Sequence, residues 1–130
     1  MMDEKREALV ELKHIHKEFP GVKVLEDISI AFYPGEVHVL LGENGAGKST
    51  IIKIISGIYQ PDKGEVLIEG APGAKNIREA QHRGISVIHQ ELSVIPDLKV
   101  YENVFLGREE KKSGFLDKGK MIAECKKILD

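Results

Sequence analysis

The stretch GENGAGKST, residues 42–50, constrains this chain more than any other feature of its sequence. A short apolar run, VHVLL (37–41), comes directly before it, and the isoleucine-rich stretch IIKIISG (51–57) comes directly after it. The apolar run is typical of a buried parallel strand. The isoleucines predict a largely buried helix that Gly57 ends. A strand, a glycine-rich turn and a helix in this order indicate an α/β fold.

Within this stretch, Gly42, Gly47, Lys48 and Ser49 match the pattern GxxxxGK[ST]. The glycines let successive backbone N–H groups converge on an anion at the positive end of the following helix. Lys48 is placed to reach the β- and γ-phosphates, and Ser49 offers a hydroxyl to Mg²⁺. A glycine-rich turn with a surface lysine is the alternative, but the position between a strand and a buried helix favours nucleoside triphosphate binding.

The segments around this loop predict further strands. Residues 8–16 and 28–32 are predicted strands that precede the loop, and residues 65–70 form a predicted strand that follows it. Residues 85–90, ISVIHQ, have the composition of a second buried strand. The chain therefore combines an alternating β portion with the strand–turn–helix unit.

Two shorter helices are predicted from their capping residues. Asn76 and Glu79 have the spacing of a capping box, and Gly84 would end that helix. Asp117 is the predicted N-cap of the last helix, whose apolar residues form one stripe. The stripe consists of Met121, Ile122, Cys125, Ile128 and Leu129, so Cys125 is expected to serve packing rather than chemistry.

The composition excludes several classes of protein. The chain has 130 residues, of which 42% are hydrophobic and 31% charged, as in an ordinary soluble domain. A formal net charge of −2 argues against nucleic acid as a partner. The single cysteine fits a reducing compartment. No secretory leader and no apolar run near ~20 residues is present, so any membrane role would act through a partner.

Many enzyme classes use such a loop, and the residues before it help to choose among them. In nucleotide kinases the loop normally follows the first strand, whereas here about 40 residues precede it. From about residue 9 onward the chain resembles the ATP-binding subunit of ABC transporters, over roughly the first half of that domain. The segments that carry this resemblance are VLLG, ENGAGKST (43–50), IIKIISGIYQPDKGEVLIEG (51–70) and VIHQE (87–91).

The resemblance implies a set of site residues for ATP and Mg²⁺. Phe19 corresponds to an aromatic residue that stacks on adenine, and Gln90 to a glutamine that contacts Mg²⁺ and the attacking water. Catalytic roles would fall to Lys48 and Gln90, and Mg²⁺ would be held by Ser49 and Gln90. The nucleotide itself would be bound by Phe19, Asn44, Gly45, Ala46, Gly47, Lys48, Ser49 and Thr50.

Within the family, the segments FPGVKVL (19–25) and HQELSVIPDLKVYENVFLGRE (89–109) look most like the ATPases of bacterial ribose, galactose and xylose importers. The partners implied are transmembrane permease subunits, a second ATPase half or subunit and, indirectly, a periplasmic sugar-binding protein. The implied location is the cytoplasmic face of the bacterial inner membrane. Residues 8–90 would form the ATP-binding core, and residues 91–130 the start of a helical subdomain.

The family's later motifs are missing from this sequence. It contains no LSGGQ-like signature and no apolar strand that ends in Asp-Glu. The predicted fold is therefore an α/β P-loop NTPase of the ABC-ATPase type, with an N-terminal antiparallel β portion and truncated before the signature motif. The chain alone is expected to bind nucleotide without turnover. Two alternatives stay open, namely a non-transport ABC-type ATPase of DNA repair or translation and a non-hydrolytic nucleotide-binding fragment.

Overall fold

The structure, a computed structural model, describes residues 6–43, 45, 47–89 and 94–130. Its internal contacts divide the chain between Val87 and Ile88 into two compact units. Each unit has its own secondary structure and is described by itself.

The first unit is built on a four-stranded antiparallel sheet in the order β2-β1-β3-β4. The predicted strands at 8–16, 28–32 and 65–70 all have counterparts in it. The first and third are shifted by two or three residues, and the second begins earlier than predicted. An antiparallel β portion at the start of the chain is therefore confirmed. The strands are β1 (Val10–Phe19), β2 (Val22–Phe32), β3 (Lys63–Ile68) and β4 (Ala71–Pro72).

The two helices of this unit, α1 (Lys48–Ile55) and α2 (Ile77–His82), end on glycines as the sequence predicts. Gly57 has φ +79° and Gly84 has φ +89°, the left-handed conformation that glycine adopts without a steric penalty. The amide of Ile58 donates to the carbonyl of Lys53 at 2.8 Å, and that of Gly57 to Ile54 at 3.2 Å. This pair of bonds is a Schellman motif, and α2 ends in the same way.

The N-cap of α2 is also the predicted residue. The side-chain oxygen of Asn76 accepts a hydrogen bond from the amide of Glu79 at 2.9 Å. The carboxylate of Glu79 accepts from the amide of Lys75 at 3.1 Å, one residue before the N-cap. The two side chains thus accept hydrogen bonds from two backbone amides. In a standard capping box the second amide is that of the N-cap residue, whereas here it is that of Lys75, the residue before the N-cap.

The main core lies where the sheet meets α1. Leu12 and Ile15 from β1 and Leu25 from β2 are buried against Ile51 and Ile54 of the helix. The prediction of a largely buried α1 is therefore right for one face of the helix. Ile52, on another face, is 42% exposed.

The prediction of two buried parallel strands was wrong for the residues that the structure describes. Residues 37–41 and 85–89 have no strand pairing, and several of their apolar side chains are open to solvent. Leu41 is 88% exposed and Ile88 is 99% exposed. The physical reason is that a parallel strand needs hydrogen-bonding neighbours reached by crossover connections, and the described residues supply none to either segment.

The second unit contains two helices and a short hairpin: α3 (Val100–Val104), β5 (Lys111–Lys112), β6 (Phe115–Leu116) and α4 (Lys118–Leu129). Asp117 caps α4 as predicted, because its side chain accepts from the amide of Lys120 at 3.0 Å. Met121 and Cys125 are buried, whereas Ile128 is 68% and Leu129 67% exposed. The predicted apolar stripe is therefore buried only over its first part. Among the described residues, no helix has both the length and the apolar character that a membrane crossing requires.

Candidate nucleotide-binding site

The start of helix α1 has neither a side-chain cap nor an acidic residue in its first turn. Its N-cap is Gly47, and the first helical residue is Lys48, a cation at the positive end of the helix dipole. The lack of an acidic residue and the lysine at the positive end both disfavour an isolated helix. An anion bound at this end would satisfy the free N–H groups and neutralise the adjacent positive charge.

Of the three glycines in the loop, Gly42, Gly45 and Gly47, the last two take a left-handed backbone. Gly45 has φ +88° and Gly47 has φ +90°. Open space surrounds the Cα of Gly45, whereas a Cβ on Gly47 would lie 2.6 Å from Cδ2 of Leu25 and 3.2 Å from the carbonyl oxygen of Val24. Gly47 therefore allows the loop to lie directly on strand β2.

The side chains of the first helical turn differ in exposure. The ammonium of Lys48 donates to the carbonyl oxygen of Gly42, so it lies back across the loop. Ser49 is exposed and Thr50 is buried. An incoming phosphate would find the hydroxyl of Ser49 accessible and the ammonium of Lys48 within the loop.

Phe19 is the last residue of β1, and its ring is half-buried at the end of the hairpin. It contacts the ring of Tyr59 edge to face, with a centroid distance of 5.3 Å and an interplanar angle of 65°. Lys17, two residues earlier on the same strand, places its Nζ 5.4 Å from the centroid of Phe19. Phe19 is therefore part of an aromatic cluster at the margin of the main core, against which Tyr59 packs.

The sheet links Phe19 to the phosphate-binding loop. Leu25, which contacts Gly47, is paired across the hairpin with Lys17. Phe19 lies two residues beyond Lys17 on β1. Its distance from Leu25, the pair partner of Lys17, is therefore on the order of 8 Å within the sheet. A distance on this scale suits a ligand with a ring at one end and phosphates at the other.

Three of the predicted site residues, Asn44, Ala46 and Gln90, lie outside the described residues. The structure brings Gly45, Gly47, Lys48, Ser49 and Thr50 together at the start of α1 and places Phe19 in the same compact unit. The roles assigned to these residues stay predictions.

Sequence reasoning missed the neighbours of Phe19. Tyr59 follows the Schellman turn of α1, and Lys17 is ion-paired with Asp62 at 3.2 Å. The amide of Glu18 donates to the other carboxylate oxygen of Asp62 at 2.7 Å. This backbone hydrogen bond, followed by the contact with Lys17, lowers the pKa of Asp62. The motif GIYQPD (57–62) contains both Tyr59 and Asp62, but nothing in its spacing shows that it meets residues 17–19.

Comparisons with known proteins agree with this geometry. Residues 25–130 match the family described as ABC transporter. The ribose import ATP-binding protein RbsA 1 of Rubrobacter xylanophilus is 49% identical over 123 residues, which cover 94% of this chain and 25% of that protein. The xylose/arabinose import ATP-binding protein XylG of Sulfolobus acidocaldarius is also 49% identical over 123 residues, covering 94% of this chain and 49% of that protein.

Solved structures resemble this chain as well. The ATP-binding cassette MJ1267 of an ABC transporter superposes with a TM-score of 0.79 at 29% identity, over 94% of this chain and 53% of that one. A nucleotide-free ATP-binding cassette from an ABC transporter gives a TM-score of 0.70 at 29% identity, over 90% of this chain and 46% of that one. This chain thus spans a quarter to about half of these proteins.

The fold and the loop together define the class: an α/β P-loop protein with an antiparallel β portion ahead of its phosphate-binding loop. The match over residues 25–130 then shows the particular family, and the chain belongs to the ABC transporter family.

Proposed function

We propose that this chain is the ATP-binding part of an ABC transporter ATPase that couples ATP hydrolysis to carbohydrate import. The observation that carries the ATP-binding half of the proposal is the start of α1, where an uncapped glycine and a lysine leave a helix end that an anion would stabilise. The carbohydrate half is supported by relatives named for ribose and for xylose/arabinose import, each 49% identical to this chain.

In this proposal the loop and the hairpin hold opposite ends of ATP. The backbone amides of residues 44–50 surround the phosphates, and Lys48 neutralises the β- and γ-oxygens. Phe19 stacks on adenine, an interaction that contributes on the order of 1 to 3 kcal/mol with little preference among bases. The partial exposure of Phe19 and its place on the same sheet as Leu25, which contacts Gly47, support this assignment.

Mg²⁺ fits the oxygen donors proposed here, which are the hydroxyl of Ser49 and the side-chain amide oxygen of Gln90. The exposed position of Ser49 at the start of α1 supports its part. Bound Mg²⁺ would supply charge neutralisation on the phosphates. Gln90 would hold the attacking water in place, and Lys48 would stabilise negative charge that develops on the γ-phosphate.

The proposed partners follow from the same family. They are transmembrane permease subunits, a second ATPase half or subunit, and a periplasmic sugar-binding protein that acts through the permease. The proposed location is the cytoplasmic face of the inner membrane, where the chain is peripheral. Residues 8–90 serve as the ATP-binding core and residues 91–130 as the start of a helical subdomain that faces the permease.

A thermal-shift titration with Mg-ATP and Mg-ADP tests the binding proposal, with phosphate release measured in the same samples. Nucleotide at about 100 times its dissociation constant should stabilise the folded chain by roughly 2.7 kcal/mol. Lys48→Ala should abolish this shift, whereas Lys126→Ala, at an exposed lysine of α4, should leave it unchanged. We expect no phosphate release from the chain alone.

Two other results would contradict the binding proposal or its site. A cooperative melt that neither nucleotide shifts would overturn the binding proposal. If Lys48→Ala leaves the thermal shift intact, the nucleotide binds somewhere other than the start of α1.

The transport proposal needs a second experiment. The chain extended to the length of its import relatives should copurify with a monosaccharide permease, and ATP hydrolysis should rise when both are reconstituted. Copurification without stimulated hydrolysis would contradict the coupling.

A further inference from the structure

The ring of Phe19 stands at the end of a hairpin and would be poorly held by its own strand. The next residues, Pro20 and Gly21, are exposed and form the turn into β2. A terminal aromatic side chain beside such a turn keeps several rotamers unless neighbours restrict it. Contacts from outside the hairpin therefore decide how well the ring is oriented.

Two side chains supply such contacts. Tyr59 meets the Phe19 ring at a centroid distance of 5.3 Å in the T-shaped arrangement that aromatic pairs favour. Lys17 lies over the same ring, with its Nζ 5.4 Å from the centroid. Lys17 also lies 6.0 Å from the centroid of Tyr59. One face of Phe19 is thus taken by an ammonium group, and an edge-to-face contact fixes the tilt of the ring.

The ammonium of Lys17 is itself anchored. Its side chain is only 16% exposed, and its Nζ lies 3.2 Å from a carboxylate oxygen of Asp62. The other oxygen of Asp62 accepts from the amide of Glu18 at 2.7 Å, so the carboxylate is fixed to the backbone of β1. An ion pair held at both ends loses less side-chain entropy than an ordinary surface pair.

We propose that Tyr59 and Lys17 are positioning residues for the nucleotide base, which hold the Phe19 ring so that its remaining face receives adenine. The inference rests on the proposed stacking of adenine on Phe19. It adds a determinant of base affinity that lies after α1, outside the phosphate-binding loop. Neither residue touches the phosphates in this arrangement, so each acts on the base alone.

The test compares ATP with inorganic tripolyphosphate, which has the phosphates but no base, by calorimetric titration of the full 130-residue chain. Tyr59→Leu should raise the Kd for ATP roughly three- to tenfold, the scale of a lost aromatic pair, and leave the Kd for tripolyphosphate unchanged. Tyr59→Phe keeps the aromatic ring, so its Kd for ATP should equal that of the unmodified chain. Lys17→Met keeps the aliphatic chain and should weaken ATP about two- to fivefold, again without an effect on tripolyphosphate.

Two reference variants separate this inference from the proposal beneath it. Phe19→Ala should weaken ATP alone, and Lys48→Ala should weaken both ligands. If Phe19→Ala behaves so while Tyr59→Leu and Lys17→Met bind ATP normally, the positioning role is wrong and adenine stacking stands. If Phe19→Ala has no effect, or if the chain binds neither ligand, both proposals fail. Equal weakening of both ligands by Tyr59→Leu and Lys17→Met would assign the pair a structural role and overturn the inference.

Discussion

Taken together, the two predicted parallel strands are at least as apolar as the strands of the antiparallel sheet, yet among the described residues only the sheet is paired. Leu12 of β1 is 1% exposed, whereas Leu41 in the run before the phosphate loop is 88% exposed. β1 finds β2 across the two-residue turn Pro20–Gly21, and such a short connection costs little chain entropy to close. A parallel strand needs a partner reached by a long crossover. Because β1 also pairs with the distant strand β3, the presence of a hydrogen-bonding partner, more than hydrophobicity or sequence distance, separates the two regions.

The largest expected effect compares one leucine from each region. Leu12→Ala should lower the free energy of unfolding by about 2 to 5 kcal/mol, since it removes a fully buried side chain from the main core. Leu41→Ala should change it by less than about 0.5 kcal/mol, because the side chain is already in solvent. Urea denaturation of both variants measures the difference.

Equal costs for the two variants would break the comparison, because they would mean that Leu41 is packed in solution, as its neighbour Leu40 already is against the main core. Amide hydrogen exchange gives an independent check. Amides of β1 that pair with β3 should exchange slowly, whereas those of residues 37–41 and 86–89 should exchange close to the rate of an open chain. Protection of the latter segments would show a partner for them.

The elements that sequence analysis identified correctly are those fixed by local chemistry. Asn76 and Asp117 cap helices because their side chains reach amides three residues ahead. Gly57 and Gly84 end helices because few other residues adopt their backbone conformation. β1 and β2 alternate apolar and polar residues and are neighbours in the chain. The helix caps and ends thus depend on partners a few positions away, and β2 follows β1 after a two-residue turn.

The failures concern contacts between distant segments. Residues 85–89 have the composition of a buried strand, but composition does not say what pairs with them. The contact of Phe19 with Tyr59, 40 positions later in the sequence, has no local signal. The phosphate-binding residues were recognisable because one contiguous motif contains them. The neighbours of Phe19 were not, since the sheet and α1 together create that cluster.

The next prediction concerns the point where the unpaired run joins the sheet. Gly47→Ala should destabilise the chain by about 2 to 4 kcal/mol, because a methyl group there combines a left-handed backbone with overlap on Leu25. Gly45→Ala is the matched control. Gly45 has a nearly equal φ and open space around it, so its cost should be about 1 to 2 kcal/mol. Equal destabilisation in chemical denaturation would show that the loop does not lie on β2.

A smaller effect is expected at the cap of α2, the helix that precedes residues 85–89. Asn76→Ala should cost about 1 kcal/mol, since the amide of Glu79 loses its acceptor. Asn76→Ser keeps a side-chain acceptor and should cost only a few tenths of a kcal/mol. Thermal unfolding followed by circular dichroism measures both. Identical losses for the two variants would rule out capping as the reason that this helix forms beside an unpaired segment.

The smallest effect is the pH dependence of the ion pair that attaches the end of β1 to the turn before β3. The hydrogen bond from the amide of Glu18, and then Lys17, lower the pKa of Asp62 in the folded chain. A lowered folded-state pKa adds stability that is present above the unfolded-state value, about 3.9, and is lost as the pH falls through the folded-state value. The urea midpoint of Asp62→Asn should therefore lie slightly below that of the unmodified chain at pH 7, and the gap should narrow by pH 3. If the difference between the two urea midpoints does not change with pH, the charge of the carboxylate contributes nothing to stability. The hydrogen bonds of the Asp62 side chain would then hold the end of the sheet without any help from its charge.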